Sequence, residues 1–176
     1  MASFADRMIR AARLDASLYE EVERDQGATG QAMLVVILSS LAAGIGVFRG
    51  IGVLGLVFAT LATLLGWVVW ASLTYVIGTK LLPEAQTRAN VGELLRTTGF
   101  SSAPGVIRIL GLVPGLALVS FWGAAIWMLL AMVVAVRQAL DFKSTVRAVC
   151  VCFISGLVAF CIVWLLGGSP LEGPAR

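Results

Sequence analysis

The chain has 176 residues, of which 59% are hydrophobic and only 13% are charged, and its mean hydropathy is +0.95. A soluble domain is about half apolar and about a quarter charged, so this composition excludes an ordinary soluble domain and favours a protein with several membrane spans. The formal net charge is +3, but the cations form no basic run, which excludes a nucleic-acid-binding surface of the usual kind.

Histidine is absent, which removes the commonest general base and metal ligand. The three cysteines, Cys150, Cys152 and Cys161, lie in one apolar stretch, and on a helix Cys150 and Cys152 point to different faces. We therefore expect these cysteines to serve as small packing residues and not to form a disulfide or a zinc site. The sequence accordingly predicts no metal site and no cofactor.

Residues 1–28 are polar and lack the apolar core of a secretory signal, so they predict an amphipathic cytoplasmic helical segment. Two short helices should meet near residues 15–17, where Ser17 and Glu20 have the spacing of a capping box. The polar face should hold Arg7, Arg10, Arg13, Glu20, Glu21, Arg24 and Asp25, and the apolar face Phe4, Met8, Ala11, Leu18, Tyr19 and Val22. Candidates on the apolar face for contact with a lipid surface or a partner are Phe4, Met8, Leu18 and Tyr19. The alternative is that this face packs against the protein's own membrane domain.

Residues 29–167 predict an all-α, polytopic membrane helical bundle. Five spans are expected, at about 32–48, 51–77, 100–113, 113–136 and 146–166. Small residues recur in several spans and allow helices to approach closely in lipid. Arg49 and Gly50 should make a tight turn between the first two spans, and residues 168–176 an irregular tail.

The third span is interrupted. Asn90 and Glu93 have the spacing of a helix cap, which predicts a short interfacial helix at about 91–98 that stops at Gly99. Pro104 can begin a helical turn but not continue one, and Pro114 should lie in the first turn of the fourth span. Fourteen α-helical residues would rise only about 21 Å, so the span must borrow the preceding helix or lie where the membrane is thin. The alternative is a re-entrant segment and four spans.

The cations favour five spans with a cytoplasmic N-terminus and an outside C-terminus. One side would hold ten of them: Arg7, Arg10, Arg13, Arg24, Lys80, Arg88, Arg96, Arg137, Lys143 and Arg147. The other side would hold three: Arg49, Arg108 and Arg176. With four spans the division would be nine against four.

The predicted spans contain no Asp, Glu, His or Lys, and Arg108 is their only charge apart from Arg147 at the edge of the fifth span. We expect Arg108 to reach the nearby outer surface or to bond to helix-end carbonyls; the alternative is contact with an anionic lipid or a partner's carboxylate. The chain shows no carboxylate pair, metal-ligand set, nucleophile elbow or phosphate-binding glycine loop. No catalytic residue and no enzymatic activity are therefore expected.

Residues 99–104, Gly-Phe-Ser-Ser-Ala-Pro, resemble the G-Y-x-x-x-P signature of the Yip (Ypt/Rab-interacting) domain family. The small-residue-rich first span, the tight turn after it and the polar loop before the signature are also similar to that family, over roughly residues 15–167. The resemblance implies five spans, a cytosolic N-terminus and no enzyme activity. The signature residues Gly99, Phe100 and Pro104, together with Pro114, are the expected structural determinants.

Eukaryotic Yip proteins associate with prenylated Rab-type GTPases and with one another. This chain lacks their Pro/Gly-rich N-terminal arm and their D-L-Y-G-P stretch, to which residues 15–20 are only weakly similar. GTPase binding is therefore not carried over, and the chain looks more like a compact prokaryotic member of the bacterial cytoplasmic (inner) membrane.

Three functions remain open from the sequence. The first is a non-catalytic scaffold or adaptor of the Yip type, whose partners are membrane lipids and other membrane proteins. The second is an accessory subunit of a larger membrane complex, for example an energy-transducing one. The third, a small permease, is weaker because the spans lack ion-coupling groups.

Overall fold

The computed structural model describes residues 3–46 and 52–167, and every regular element in these ranges is a helix. The N-terminal segment forms α1 (Phe4–Ala12) and α2 (Ala16–Arg24). The membrane domain is built from α3 (Ala28–Gly46), α4 (Gly52–Val76) with a π-helical extension (Ile77–Leu81), α5 (Val91–Phe100), a 3-10 helix (Ala103–Leu112), α6 (Ala117–Ala139) and α7 (Thr145–Gly167). The predicted turn at Arg49 and the predicted tail at 168–176 lie outside the described residues.

Among the described residues, four helices are long and apolar enough to cross a membrane: α3, α4 with its extension, α6 and α7. The predicted all-α, polytopic membrane fold is confirmed. The bounds differ in places, since α3 begins at Ala28 and α4 continues through Leu81. The start of α6 also differs, because Pro114 and Gly115 occupy a turn before the helix. Gly115 has a φ of +86°, and Leu116 N donates to Val113 O at 3.1 Å, as in a type II turn.

The third predicted span is a 3-10 helix preceded by α5. The predicted cap is confirmed, because Asn90 and Glu93 form a reciprocal capping box at the start of α5. The predicted stop at Gly99 was wrong, because α5 continues through it to Phe100. A Cβ at Gly99 would lie 2.8 Å from the Cβ of Ala32, so this glycine permits a close helix contact instead of ending the helix.

The segment from α5 into the 3-10 helix runs parallel to α3, because its contacts advance along both helices in the same direction. A Cβ at Gly99 would meet Ala32, one at Gly105 would overlap the Ser39 hydroxyl, and one at Gly111 would overlap Gly46. Residues 32–46 of α3 rise about 21 Å. The twelve steps from Gly99 to Gly111 would rise only about 18 Å if they were all α-helical. The 3-10 helix rises about 2.0 Å per residue, which lengthens this segment to match α3. The glycines therefore hold the segment against α3 along most of that helix.

The N-terminal segment forms two helices that meet where the sequence predicted. The α2 cap is nevertheless Asp15, whose side chain accepts from Ser17 N at 2.9 Å, and not Ser17. Within ranges 3–46 and 52–167, two apolar cores hold the fold together. One joins α1 and α2 to α3, α5 and α6. The other joins α4 and α5 to α6 and α7.

Candidate functional site

The N-terminal segment lies folded against the membrane domain. Leu18, Tyr19 and Val22 of α2 have no exposed surface. They share a core with Phe100 of α5 and Ala135 of α6. Burial of these side chains stabilises the docked position by roughly 1.5–3 kcal/mol for each large apolar group. Leu18 and Tyr19 could therefore reach lipid or a partner only if α2 detached from the bundle.

Phe4 and Met8 of α1 pack at the edge of the same core and remain partly exposed. The indole Nε1 of Trp127 in α6 donates to the carbonyl oxygen of Ala12 at 2.7 Å and fixes the end of α1. Ile9, which the helical wheel assigned to neither face, is 53% exposed. The outer surface of α1 thus keeps apolar area available for contact.

Arg7 is 4% exposed, although the sequence predicted it on the polar face. Its guanidinium donates to Glu21 at 2.9 Å, to Asp25 at 2.8 Å and to the side-chain oxygen of Gln31 at 3.0 Å. Burial lowers the pKa of Arg7, but the hydrogen bonds to Asp25 and Glu21 outweigh it and raise that pKa. The prediction was wrong because residue 7, three after Phe4, falls on the apolar stripe, a signal visible in the sequence.

Arg10 forms a second, more exposed ion cluster. It donates to Asp15 at 2.8 Å and to Glu21 at 2.6 Å. Hydrogen bonds from Ser17 and Arg10 lower the pKa of Asp15 from 3.8 to about 2. The same Arg10, together with Arg7, lowers the pKa of Glu21. These contacts join α1 directly to α2, without a residue of the membrane domain.

Arg96 of α5 connects the N-terminal segment to the bundle, a role that sequence reasoning missed. It is 6% exposed, its Nε donates to Val22 O at 2.8 Å, and Nη2 donates to the carbonyl of Glu23. Carbonyls in the last turn of a helix lack partners within the helix, so an arginine from a neighbouring element satisfies them. No pattern in the sequence identifies such a long-range cap.

Glu23 lies half-buried on this side of the bundle. Burial raises its pKa from 4.5 to about 7, and the negative charges of Glu93 and Asp141 add to the increase. The side chain therefore changes charge near neutral pH, unlike the other carboxylates of the segment with a perturbed pKa. The docking of α2 is consequently expected to depend on pH.

Glu84 joins the two polar loops on the same side. Its carboxylate accepts from the backbone N–H of Lys143 at 3.0 Å and of Ser144 at 3.3 Å. These bonds, with one from Gln86, lower the pKa of Glu84. Gln86 also donates to Asp141 O at 2.9 Å. The loop before α5 and the turn before α7 are thus one ordered surface beside α2.

The residues of the G-F-S-S-A-P motif connect this surface to the membrane interior. Phe100 is fully buried in the core that holds α2, and Pro104 is buried at the start of the 3-10 helix. Gly99 lies against α3. The structure thus brings Phe100 together with Leu18 and Tyr19, with Gly99 packed against α3 beside them. Pro104 begins the 3-10 helix, and Pro114 lies beyond the other end of that helix.

Arg108 faces a cavity of about 240 Å³ between α3, α4, the 3-10 helix and α6. Hydroxyl groups line part of it, from Ser39, Ser40, Thr63 and Ser102. The guanidinium lies 5.2 Å from the ring centre of Phe121. Its Nε is buried and has no hydrogen-bond partner among the described residues. The expected bond to a helix-end carbonyl is therefore not made by this nitrogen within the described part of the chain.

A second cavity of about 390 Å³ adjoins the first and shares Val36, Thr63 and Ser102 with it. It continues past Met132 to the indoles of Trp67 and Trp70 and is largely apolar. No carboxylate of the described residues lines either cavity. The described residues also contain no cluster of three or more His, Cys, Asp or Glu that could hold a metal ion.

An apolar helical bundle with helices of membrane-spanning length defines an integral membrane protein. The Yip1 domain family matches residues 16–166, and the chain belongs to this family. The resemblance inferred from residues 99–104 is thereby confirmed. No curated protein and no solved structure matches the chain.

Proposed function

We propose that this protein is a non-catalytic membrane scaffold or adaptor of the Yip type, which acts through helix–helix contacts in the membrane and through its cytoplasmic face. The observation that carries the proposal is the free surface of α4. None of its spanning window is buried inside the protein, against 39% for α3. Its exposed apolar side chains include Val53, Leu54, Phe58, Leu61 and Leu65. Such a helix has a long apolar surface available to lipid or to another helix.

The cytoplasmic face in this proposal is the ordered surface made by α1, α2, the loop before α5 and the turn before α7. Its ion pairs and loop contacts support a preformed docking platform, because groups already ordered lose less entropy when a partner binds. The exposed side of α1 around Ile9, with Phe4 and Met8 beside it, supplies apolar area on that platform.

The proposed topology has five crossings, in the bacterial cytoplasmic membrane, with the N-terminus inside and the C-terminus outside. The register of residues 99–111 along α3 supports a crossing by the broken segment, because a re-entrant loop would turn back part-way. The excess of cations on the N-terminal side supports the orientation. A reporter that is active only outside the cytoplasm should be active when fused after Arg176; activity of a cytoplasm-only reporter there would contradict five crossings.

The alternative is an accessory subunit of a larger complex, which the free surface of α4 would equally allow. Native mass spectrometry after purification in mild detergent separates the two. A monomer or homo-oligomer is expected for the scaffold, and a stoichiometric complex with other chains for the subunit.

A pair of matched variants tests whether α4 supplies the contact. Ala62→Trp adds bulk to the exposed surface of α4, and Leu118→Trp adds bulk to an equally outward position of α6, which is 73% exposed. Ala62→Trp should weaken self-association or partner capture, whereas Leu118→Trp should leave it unchanged. Equal effects of the two variants would contradict a contact through α4.

A further inference from the structure

We propose that the Arg108 cavity and its apolar neighbour form a binding site for an anionic amphiphile, whose carboxylate or phosphate head lies on Arg108 and whose acyl chain follows α6 toward Trp67 and Trp70. This site is separate from the cytoplasmic face and does not depend on the scaffold proposal. Its two parts are the polar cavity of about 240 Å³ and the apolar cavity of about 390 Å³.

The first argument is the unsatisfied cation. Arg108 has a buried Nε without a hydrogen-bond partner among the described residues, and the contact with Phe121 supplies attraction but accepts no conventional hydrogen bond. Leaving a buried charged donor unpaired costs more than leaving a neutral one, so an arginine in this position calls for an anion. Since no carboxylate of the described residues lines the cavity, a ligand would supply that anion.

The second argument is the arrangement of polar groups around the guanidinium. Ser40 lies within 3.3 Å of the Thr63 hydroxyl and 3.4 Å of the Thr60 hydroxyl, both long for bonds between hydroxyls. Thr63 donates to Ala59 O at 2.8 Å, so its oxygen remains free to accept. A hydroxyl that rotates can instead donate to an anionic oxygen, so Arg108 and Ser40 together suit a carboxylate or a phosphate.

The third argument distinguishes an amphiphile from a partner's side chain. The polar cavity lies between four elements of the chain itself and adjoins an apolar cavity, so its occupant needs a polar group on Arg108 and an apolar part beside it. The adjoining cavity is lined by Gly66, Trp67, Met132 and Ala159 and is suited to a hydrocarbon chain. A molecule with an anionic head and an apolar tail matches both parts.

The test uses the full chain in mild detergent, washed free of lipid, and native mass spectrometry with three probes. The probes are oleate, phosphatidylglycerol and zwitterionic phosphatidylcholine. The wild-type chain should bind oleate or phosphatidylglycerol at least about tenfold more tightly than phosphatidylcholine. Preference for oleate would identify a fatty acid as the ligand, and preference for phosphatidylglycerol a phospholipid. Equal binding of all three probes would overturn the proposal.

Arg108→Ala should lose that preference, with affinity for the anionic probe falling at least about tenfold. The control is Arg24→Ala, because Arg24 has an 80% exposed side chain and makes only a 3.7 Å ion pair. Should Arg108→Ala not fold, Arg108→Gln keeps most of the side-chain volume and removes the charge. The proposal would be overturned if the variant that folds kept the wild-type preference for the anionic probe. It would also be overturned if Arg108 proved to be needed for binding a protein partner while the chain showed no lipid preference.

Discussion

Gly99→Ala should destabilise the protein, although alanine normally favours a helix over glycine. The new methyl would lie 2.8 Å from the Cβ of Ala32, 3.1 Å from Ala32 O and 3.1 Å from the ring of Trp67. The Ala32 atoms belong to α3 itself and cannot move as a flexible side chain would. Relief of the contact therefore requires α5 to separate from α3.

The size of the effect follows from two opposing contributions. Alanine in place of a glycine within a helix stabilises by about 0.5–1 kcal/mol, and overpacking a tight contact destabilises by about 1–3 kcal/mol. The midpoints of the two ranges, about 0.75 and about 2 kcal/mol, leave a net destabilisation of about 1 kcal/mol. For a chain of this length that lowers Tm by about 2–4 °C.

The assay is the thermal midpoint of the purified protein in mild detergent, read as the fraction that stays monodisperse. Gly123→Ala is the matched control, because Gly123 lies inside α6 and a Cβ there would meet nothing within 4 Å. It should leave Tm unchanged or raise it. In the Gly99→Ala background, the further change Ala32→Gly should restore part of the lost Tm, which would show that the two positions are energetically coupled. A rise in Tm with Gly99→Ala, or no coupling to Ala32, would refute the close-contact explanation.

Three further changes test the docked N-terminal segment. Arg7→Ala should lower the unfolding free energy by about 1–3 kcal/mol, which is less than the loss of a fully buried ion pair because the acid partners of Arg7 are about a third exposed. It should also speed chymotrypsin cleavage after Tyr19, whereas the control Arg24→Ala should leave both the stability and the cleavage rate unchanged. Because folding raises the pKa of Glu23 from 4.5 to about 7, unfolding free energy should fall as pH rises through that interval, and Glu23→Gln should abolish the fall; an unchanged pH profile would contradict the shift. Phe100→Ala should lower unfolding free energy by about 3–5 kcal/mol, measured by the same thermal assay, and a loss below about 1 kcal/mol would contradict its burial.

Local signals in the sequence predicted local structure well. The reciprocal cap of Asn90 and Glu93 needs only residues three apart, and both of its hydrogen bonds are present. The apolar runs likewise predicted α3, α4, α6 and α7, because a bilayer-spanning helix is specified by length and hydrophobicity. Bounds shifted where a proline or glycine could serve in either a turn or a helix, as at Pro114.

Long-range contacts were not predictable from the sequence. Arg96 was assigned only as a cytoplasmic cation, yet its partners are carbonyls of α2, more than 70 residues earlier in the chain. Gly99 was predicted to end a helix because glycine favours helix ends, but its reason in the structure is the close approach of α3. Arg108 was identified as the only charge in the interior of the predicted spans. The cavity it faces could not be predicted, because residues of four separate elements form it.

The spacing within residues 99–104 has a physical reason in this chain. Pro104 lies four residues after Phe100, and a proline in an α-helix clashes with the carbonyl of the residue four before it and cannot donate to it. The α-helix accordingly ends at Phe100. The chain continues with hydrogen bonds of the 3-10 type between residues three apart, in which Ser102 N donates to Gly99 O and Gly105 N donates to Ser102 O.

That change of helix type lengthens the segment, because a 3-10 helix rises about 0.5 Å more per residue than an α-helix. The segment thereby matches α3 from Ala32 to Gly46 with fewer residues, and the glycines at 99, 105 and 111 fall where α3 is closest. Replacement of Pro104 by alanine should allow α-helical bonding past Phe100. It would then shift Gly105 and Gly111 off their contacts and turn Arg108 away from its cavity. The proline of the motif thus determines the helix type on which both the closeness of this packing and the direction of Arg108 depend.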